Sequence, residues 1–252
     1  MEIKNKKVII TGAASGVGKE LTKQILKKGG IVAALDINDD NLKKLKEELN
    51  NENLSTYVID MGSEDSIRKF SDDYKKNCKE PDIIINNAGI IQPFVHVDKL
   101  EDKTIDKVMK VNFFGPVTLI RCFLEDMIKA KEEKYIVNVS SMGGFFPFPG
   151  QTIYGSSKAA LKIFTEGLYS ELKNTNVGAM IVLPGAMNTN IATNSNVETN
   201  TSKGENNYKM LEATDAAHQI IEGIEKNKFK LFLGSDSKFL RFLYKINSKF
   251  AI

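Results

Sequence analysis

Short apolar runs recur along the chain, separated by longer stretches in which apolar positions return every three or four residues. The runs are "KVIIT" (7–11), "IVAALD" (31–36), "STYVID" (55–60), "DIIIN" (82–86), "YIVNVS" (135–140), "VGAMIVLPG" (177–185) and "FKLFLG" (229–234). They are short and almost continuously apolar, which predicts strands buried on both faces. Between them, "DNLKKLKEELN" (40–50), "NFFGPVTLIRCFLEDMIKA" (112–130) and "YGSSKAALKIFTEGLYSELKN" (154–174) carry helical spacing. The alternation predicts an α/β fold: a Rossmann-like, doubly wound parallel sheet of about seven strands with helices on both faces. No composition break, repeat or linker divides residues 1–252, so a single domain is expected.

Two segments leave this rhythm. Residues 186–208 are almost all polar and small, which reads as a mobile loop; with its flanks it forms an expected lid over about 186–212. The tail, 235–252, is apolar and basic at helical spacing. It fits a helix packed on the domain or on a neighbouring subunit, and it also resembles a peripheral membrane-surface helix.

Bulk properties narrow the function classes. Hydrophobic residues make up 42% of the 252 positions, enough for a sizeable core. Net charge is +3, from 35 Lys and Arg against 32 Asp and Glu, which gives no electrostatic case for nucleic acid. No segment reaches the ~18 consecutive apolar residues of a membrane-spanning helix. The first residues read as a strand and not as a signal peptide, so a cytoplasmic location is expected. Cys78 and Cys122 match no metal or redox spacing and are expected to be buried thiols. His96 and His218 have no partner motif, and no metal is expected.

"VIITGAASGVGKEL" (8–21) follows a strand and opens a helix, with Gly12, Gly16 and Gly18 in the spacing G-x-x-x-G-x-G. Glycines there allow a tight turn and let a pyrophosphate approach the backbone, while the helix start offers N–H groups to the phosphates. Asp36 ends the second strand, 18 residues after Gly18. A carboxylate so placed accepts hydrogen bonds from the ribose hydroxyls of NAD and repels the 2′-phosphate of NADP. Ser15 and Ile37 offer no cation for that phosphate. The alternative for Asp36 is a cap on the helix beginning near Asn38.

The ordered motifs "TGAASGVG" (11–18), Asp60, "NNAG" (86–89), "VNFFG" (111–115), "VNVSS" (137–141), "YGSSK" (154–158) and "PGAMNT" (184–189) make the chain resemble the short-chain dehydrogenases/reductases of the compact type, over nearly its whole length. The resemblance implies a single NAD(P)-binding domain. It implies adenine contacts from Asp60 and the Met61 backbone, with Val17 in the glycine turn. Asn86, Ala88 and Gly89 would line the cleft and steady the central strands, and Asn87 would hold neighbouring backbone. Pro184 and Gly185 would shape the nicotinamide wall, with Ala186, Met187 and Thr189 near its carboxamide. Long helices 112–130 and 154–174 would face partner subunits in a homodimer or homotetramer.

Four residues carry the implied catalysis. Tyr154 and Lys158, at i and i+4, share one helix face. An ammonium ~4 Å from a phenolate favours ionisation by roughly 4 kcal/mol at an effective dielectric of ~20, so Tyr154 is expected to exchange protons near neutral pH. Ser141, 13 residues before Tyr154 and chosen over Ser140 on the family's spacing, would hold the substrate oxygen. Asn112 would interrupt regular helix geometry and hold a water that resupplies protons through Lys158. Lys158 would also bind the nicotinamide ribose. Phe145, Phe146 and Phe148, with Phe94 across the cleft, form either an apolar substrate pocket or core; Met187 and Ile191 are the lid contacts. The expected activity is reversible hydride transfer between NAD and an apolar secondary alcohol or ketone. The alternatives are an NADPH-dependent carbonyl or 3-oxoacyl reductase and a catalytically silent dinucleotide-binding regulator.

Overall fold

The structure is a computed structural model and describes residues 1–187, 191, 195, 197 and 210–251. Seven strands form one parallel sheet in the order β3-β2-β1-β4-β5-β6-β7. They are β1 Lys7–Thr11, β2 Ile31–Asp36, β3 Leu54–Val58, β4 Ile83–Asn86, β5 Lys134–Val139, β6 Val177–Pro184 and β7 Lys230–Leu233. Among the described residues the α-helices are α1 Gly16–Lys27, α2 Asp39–Leu49, α3 Glu64–Cys78, α4 Asp102–Met109, α5 Gly115–Lys129, α6 Thr152–Glu171, α7 Ala213–Glu225, α8 Ser235–Ile246 and the short α9 Ser248–Ala251. The predicted fold class is therefore the one observed.

The alternation of side chains along each strand explains the continuous apolar runs. Val8 and Ile10 point into one core with Leu21 and Ile25 of α1, Leu42 and Leu45 of α2 and Ile220 of α7. Ile9 points into the opposite core with Phe70 of α3, Phe123 of α5 and Leu168 of α6. Both faces are covered, so no position in β4 or β5 is left for a polar, wet side. The two edge strands are more open: β3 carries exposed Ser55 and Val58, and β7 alternates half-buried with buried positions.

Local signals set the helix ends. Asn38 caps α2, its Oδ1 accepting from the Asn41 N–H at 2.9 Å, and Ser63 caps α3 in the same way through the Ser66 N–H at 3.2 Å. Asn38, and not Asp36, is thus the α2 cap. Between α4 and α5 the chain makes a wide π turn over Lys110–Phe114, with Asn112 inside it. The sequence-based helix over 112–130 begins in that turn. The helix over 154–174 starts earlier, at Thr152, so Tyr154 lies in its first turn.

Strand order reverses at β1, with β2 and β4 as its two neighbours. The crevice beyond the carboxyl ends of β1 and β4 is where sheets of this topology hold ligands. The glycine turn, Asp36, "NNAG", Ser141 and Pro184–Gly185 all follow strand ends and converge there. Cys78 and Cys122 are unpaired and half-buried, less enclosed than expected from sequence.

Candidate active site

The glycine turn is built for close approach. Gly12 has φ +64°, and a Cβ there would lie 2.9 Å from the Ala88 Cα. A Cβ on Gly18 would lie 1.9 Å from the Gly12 carbonyl oxygen. Helix α1 starts at Gly16 with no acid in its first turn and no side-chain cap from Ser15, and Val17 is buried behind it. Helices α2 and α3, by contrast, carry Asp39–Asp40 and Glu64–Asp65 in their first turns. The N-terminus of α1 therefore keeps its partial positive charge for an outside anion.

Asp36 is fixed from two sides. Its Oδ2 accepts from the Ala14 N–H at 3.0 Å and its Oδ1 from the Asn38 N–H at 3.0 Å. This ties the end of β2 to the glycine turn and leaves each oxygen a lone pair for a diol. Ile37 beside it is exposed. Asp60 folds over its own bend, Oδ1 accepting from the Gly62 N–H at 2.7 Å, and Met61 is buried. A glycine-sized neighbour is needed there, because a Cβ on Gly115 would sit 2.2 Å from the Met61 carbonyl.

The "NNAG" segment is locked to β1 by a residue that sequence reasoning did not single out. Thr11 Oγ1 accepts from both the Asn87 and Ala88 N–H groups at 3.0 Å. The Asn87 side chain donates to the carbonyls of Thr11 at 3.0 Å and Gly12 at 3.2 Å, so it does hold neighbouring backbone. Asn86 bridges the central strands, its Nδ2 donating to Asn138 Oδ1 at 2.8 Å. Gly89 is where cleft floor and catalytic helix meet: a Cβ there would lie 3.0 Å from Lys158 Nζ and 3.3 Å from Asn112 Oδ1.

Tyr154 and Ser141 meet beside Gly143, where a Cβ would lie 3.4 Å from Tyr154 Cε1 and 3.5 Å from Ser141 Oγ, and Lys158 follows Tyr154 by one turn of α6. Ser141 follows β5 and shares a hydrogen bond with the Tyr154 phenol; its Oγ also accepts from the Gly143 N–H at 3.0 Å. Ser140 instead is buried and donates to the Lys158 carbonyl at 2.7 Å, a bond that ties β5 to α6. Lys158 is 3% exposed and its Nζ donates to the Val139 carbonyl at 3.0 Å. Burial pulls its pKa down to about 8. The phenol differs from expectation. Burial pushes Tyr154 above the ordinary phenol value, the bond to Ser141 opposing it only in part.

Asn112 is fully buried and its side chain is spent on structure. Its Nδ2 donates to the Ile90 carbonyl at 2.9 Å and to Ser157 Oγ at 3.0 Å, and its Oδ1 accepts from the Ile90 N–H at 2.9 Å. It interrupts the helix as expected, in a π turn, and both of its amide hydrogens are donated within the protein. Ser157, next to Lys158, is a second residue the sequence did not flag.

Gln92 is the third. It is fully buried, and its Oε1 accepts from the N–H groups of Ile153 at 2.8 Å and Tyr154 at 3.0 Å. Its Nε2 donates to the Gly150 carbonyl at 2.9 Å. A loop side chain thus caps the helix that carries the phenol.

Beyond β6, Asp236 Oδ2 accepts from the Ala186 N–H at 2.6 Å and holds the Pro184–Gly185 wall against α8. Met187 is half-buried and packs on the core beside Leu211. Ile191 is half-buried, and the nearby Ser195 Oγ accepts from the Ile91 N–H at 3.0 Å. Thr189 and most of the expected lid, 186–212, lie outside the described residues. Of the phenylalanines, Phe146 is buried against Phe148 and Tyr244, Phe145 packs on Phe232, and Phe148 and Phe94 keep exposed surface.

The short chain dehydrogenase family model matches residues 6–200. The 3-oxoacyl-acyl-carrier-protein reductase FabG of Thermotoga maritima is 33% identical over 191 residues, covering 75% of this chain and 77% of that protein. The probable oxidoreductase EphD of Mycobacterium tuberculosis, 32% identical over 186 residues, is longer: the match covers 73% of this chain and 31% of that protein. A short chain dehydrogenase/reductase of Burkholderia phymatum in complex with NAD superposes with a TM-score of 0.83 at 24% identity, covering 92% of this chain and 90% of that one. A short chain dehydrogenase of Burkholderia cenocepacia in complex with NADP does so with a TM-score of 0.82 at 22% identity, over 99% and 96%. With the glycine turn, the anchored Asp36 and the Ser141, Tyr154 and Lys158 cluster at the strand ends, the chain belongs to the short-chain dehydrogenase family.

Proposed function

We propose that this protein is an oxidoreductase that prefers NAD and interconverts an apolar secondary alcohol and the corresponding ketone. The observation that carries the reading is the cluster of Ser141, Tyr154 and Lys158 beside the glycine turn, in one crevice at the carboxyl ends of the parallel strands. The residues present fit a nicotinamide dinucleotide. The α1 N-terminus and the Gly12–Gly18 turn would take the pyrophosphate, Asp36 the adenosine ribose, Asp60 and Met61 the adenine, and Lys158 the second ribose. Asn87, Ala88 and Gly89 would form the floor, and Pro184 to Met187, with Thr189, the nicotinamide wall. When bound, that group supplies or accepts the hydride.

The protein's own residues do the rest. Ser141 donates a hydrogen bond to the substrate oxygen and holds it beside the phenol. Tyr154 gives a proton to that oxygen during reduction and takes one during oxidation. Lys158 steadies the charge that develops on the phenol. Asn112 acts as a positioning residue through Ile90 and Ser157, and Phe148, Met187 and Ile191 border the substrate side. Homo-oligomer formation through α5 and α6 and a cytoplasmic location belong to the same reading.

Asp36 favours NAD because a carboxylate at the ribose repels a 2′-phosphate. The second reading, an NADPH-dependent carbonyl or 3-oxoacyl reductase, is favoured by the likeness to FabG. Fluorescence titration with NADH and NADPH separates the two; tighter NADPH binding overturns the NAD reading. A panel of ketones and secondary alcohols, followed by nicotinamide absorbance, tests the chemistry. No turnover on any carbonyl or carbinol despite tight dinucleotide binding would leave the silent regulator.

A further inference from the structure

Helix α8 has two unlike faces. The inner face is anchored: Ser237 Oγ donates to the Leu183 carbonyl at 2.9 Å, the Arg241 guanidinium lies 4.1 Å from the centre of the Phe232 ring, and Tyr244 meets Phe146 with ring centres 6.0 Å apart. The outer face carries Phe239, Phe242 and Ile246, exposed at 57%, 62% and 66%. At helical spacing these three form one ridge. Lys238 and Lys245 are exposed along the ridge beside it, and Lys249, in the next helix α9, is exposed as well. Three large apolar side chains are thus presented to the outside next to a row of ammonium groups.

The charge of the chain is concentrated here. Residues 235–252 hold four of its 35 cations and one of its 32 acids, so the remaining chain is balanced and the whole net charge of +3 resides in this tail. The one acid, Asp236, points inward to the Ala186 N–H and does not neutralise the outer lysines. A second copy seated symmetrically on this face would set lysines against lysines, which disfavours self-pairing. An acidic surface into which the rings can sink satisfies both ridges at once.

We propose that the outer face of α8 docks on an anionic lipid surface, with Phe239, Phe242 and Ile246 entering the acyl boundary and Lys238, Lys245 and Lys249 meeting lipid headgroups. The docked helix is the one whose inner face touches Phe146, between Ser141 and Tyr154 in sequence, and whose first turn holds Ala186. Binding of this kind does not depend on the chemistry proposed above.

The test is flotation of the full chain with phosphatidylcholine vesicles, with and without about 30 mol% phosphatidylserine. Recovery with the anionic vesicles should exceed that with neutral ones by about tenfold or more and fall in ~0.5 M salt. Phe239→Ser with Phe242→Ser, and separately Lys238→Glu with Lys245→Glu and Lys249→Glu, should each lose most of it. All these positions are exposed, and thermal melts verify that the variants fold. Failure to float with anionic vesicles, or equal flotation of wild type and both variants, overturns the proposal. So does a change in sedimentation mass on removing the phenylalanines with no vesicle binding, which would make the face a contact between copies.

Discussion

Gln92→Leu is the sharpest probe of how the site is assembled. Leucine is of similar size and keeps the volume filled, but it removes three hydrogen bonds, leaving the N–H groups of Ile153 and Tyr154 and the Gly150 carbonyl without their partner. A buried polar group left unpaired costs about 1–3 kcal/mol, and a lost helix cap about 0.5–2 kcal/mol. Water entering at the α6 N-terminus would satisfy part of this, so a net loss of about 2–4 kcal/mol is expected. At roughly 2–4 °C per kcal/mol for a chain of this size, Tm should fall by about 5–15 °C. The functional effect follows from position: Tyr154 donates one of the two N–H groups that Gln92 holds. A displacement of ~1 Å at a reacting group costs about 10²-fold, so kcat should fall by about 10–100-fold well below the new Tm. Cofactor affinity should stay within about threefold, since the hydrogen bonds of Gln92 go to Gly150, Gln151, Ile153 and Tyr154 and not to the glycine turn or Asp36. Gln92→Glu keeps an acceptor for both N–H groups, with a negative charge favourable at a helix start, and should retain more turnover than the leucine variant. Thermal melts, steady-state rates on the best substrate of the panel and dinucleotide fluorescence give the three readouts. Wild-type kcat in Gln92→Leu, or equal losses in kcat and dinucleotide affinity, would refute the positioning role.

Three further outcomes are expected. Tyr154→Phe should lower kcat by about 10²–10⁴-fold in steady-state assays while leaving dinucleotide affinity unchanged. Asp36→Ala combined with Ile37→Arg should shift preference toward NADPH by at least about tenfold in paired titrations, because a repelling carboxylate is exchanged for a guanidinium. Lys158→Met should abolish turnover yet raise Tm near pH 7. The folded lysine pKa is about 8 against an ordinary 10.5, so the folded chain holds fewer protons between those values and ligand-free stability rises with pH across that window. Below it, the cost of the buried ammonium is fully present. Removing it should gain about 1–2 kcal/mol after loss of the bond to Val139, and the difference from wild type should shrink as melts are repeated toward pH 10.

What was legible in the sequence divides along physical lines. The strands and the chain order of the site could be read because buried strands need continuous apolar runs and because a Tyr and a Lys four apart share a helix face. Asp36 could be placed from its distance to Gly18. Gln92 could not: it lies in an irregular loop and its partners are 61 and 62 residues onward, a pairing that no periodicity encodes. The same holds for Thr11, which receives the Asn87 and Ala88 N–H groups from 76 and 77 residues away, and for Asp236, 50 residues from Ala186. Non-local side-chain to backbone bonds hold this site together, and their donors and acceptors are ordinary residues until the fold brings them near one another. The phenylalanines 145, 146 and 148 show the converse. They stand out in the sequence, yet Phe146 is core and Phe145 meets Phe232 edge-on.

The direction of the Tyr154 shift changes how the proton step must work. Spacing alone argued for a phenol made acidic by its neighbour; burial makes it less acidic, and makes the neighbouring lysine less basic. Both shifts oppose charge in the same enclosed space. Near pH 7 the phenol therefore holds its proton, the form needed to protonate a carbonyl, and reduction should depend little on pH between about 6 and 8. Oxidation needs the phenol to have lost its proton. Its rate should rise with pH through that same interval, by up to tenfold per unit where deprotonation limits. Positive charge arriving with the oxidised dinucleotide would move that rise to lower pH without reversing its sign. Measuring both directions on one substrate pair across pH 6–9 tests the argument. An oxidation rate independent of pH below 8, or a reduction rate that falls across neutral pH as the phenol loses its proton, would show that Tyr154 is already acidic in the working enzyme and that burial is not the dominant influence on it.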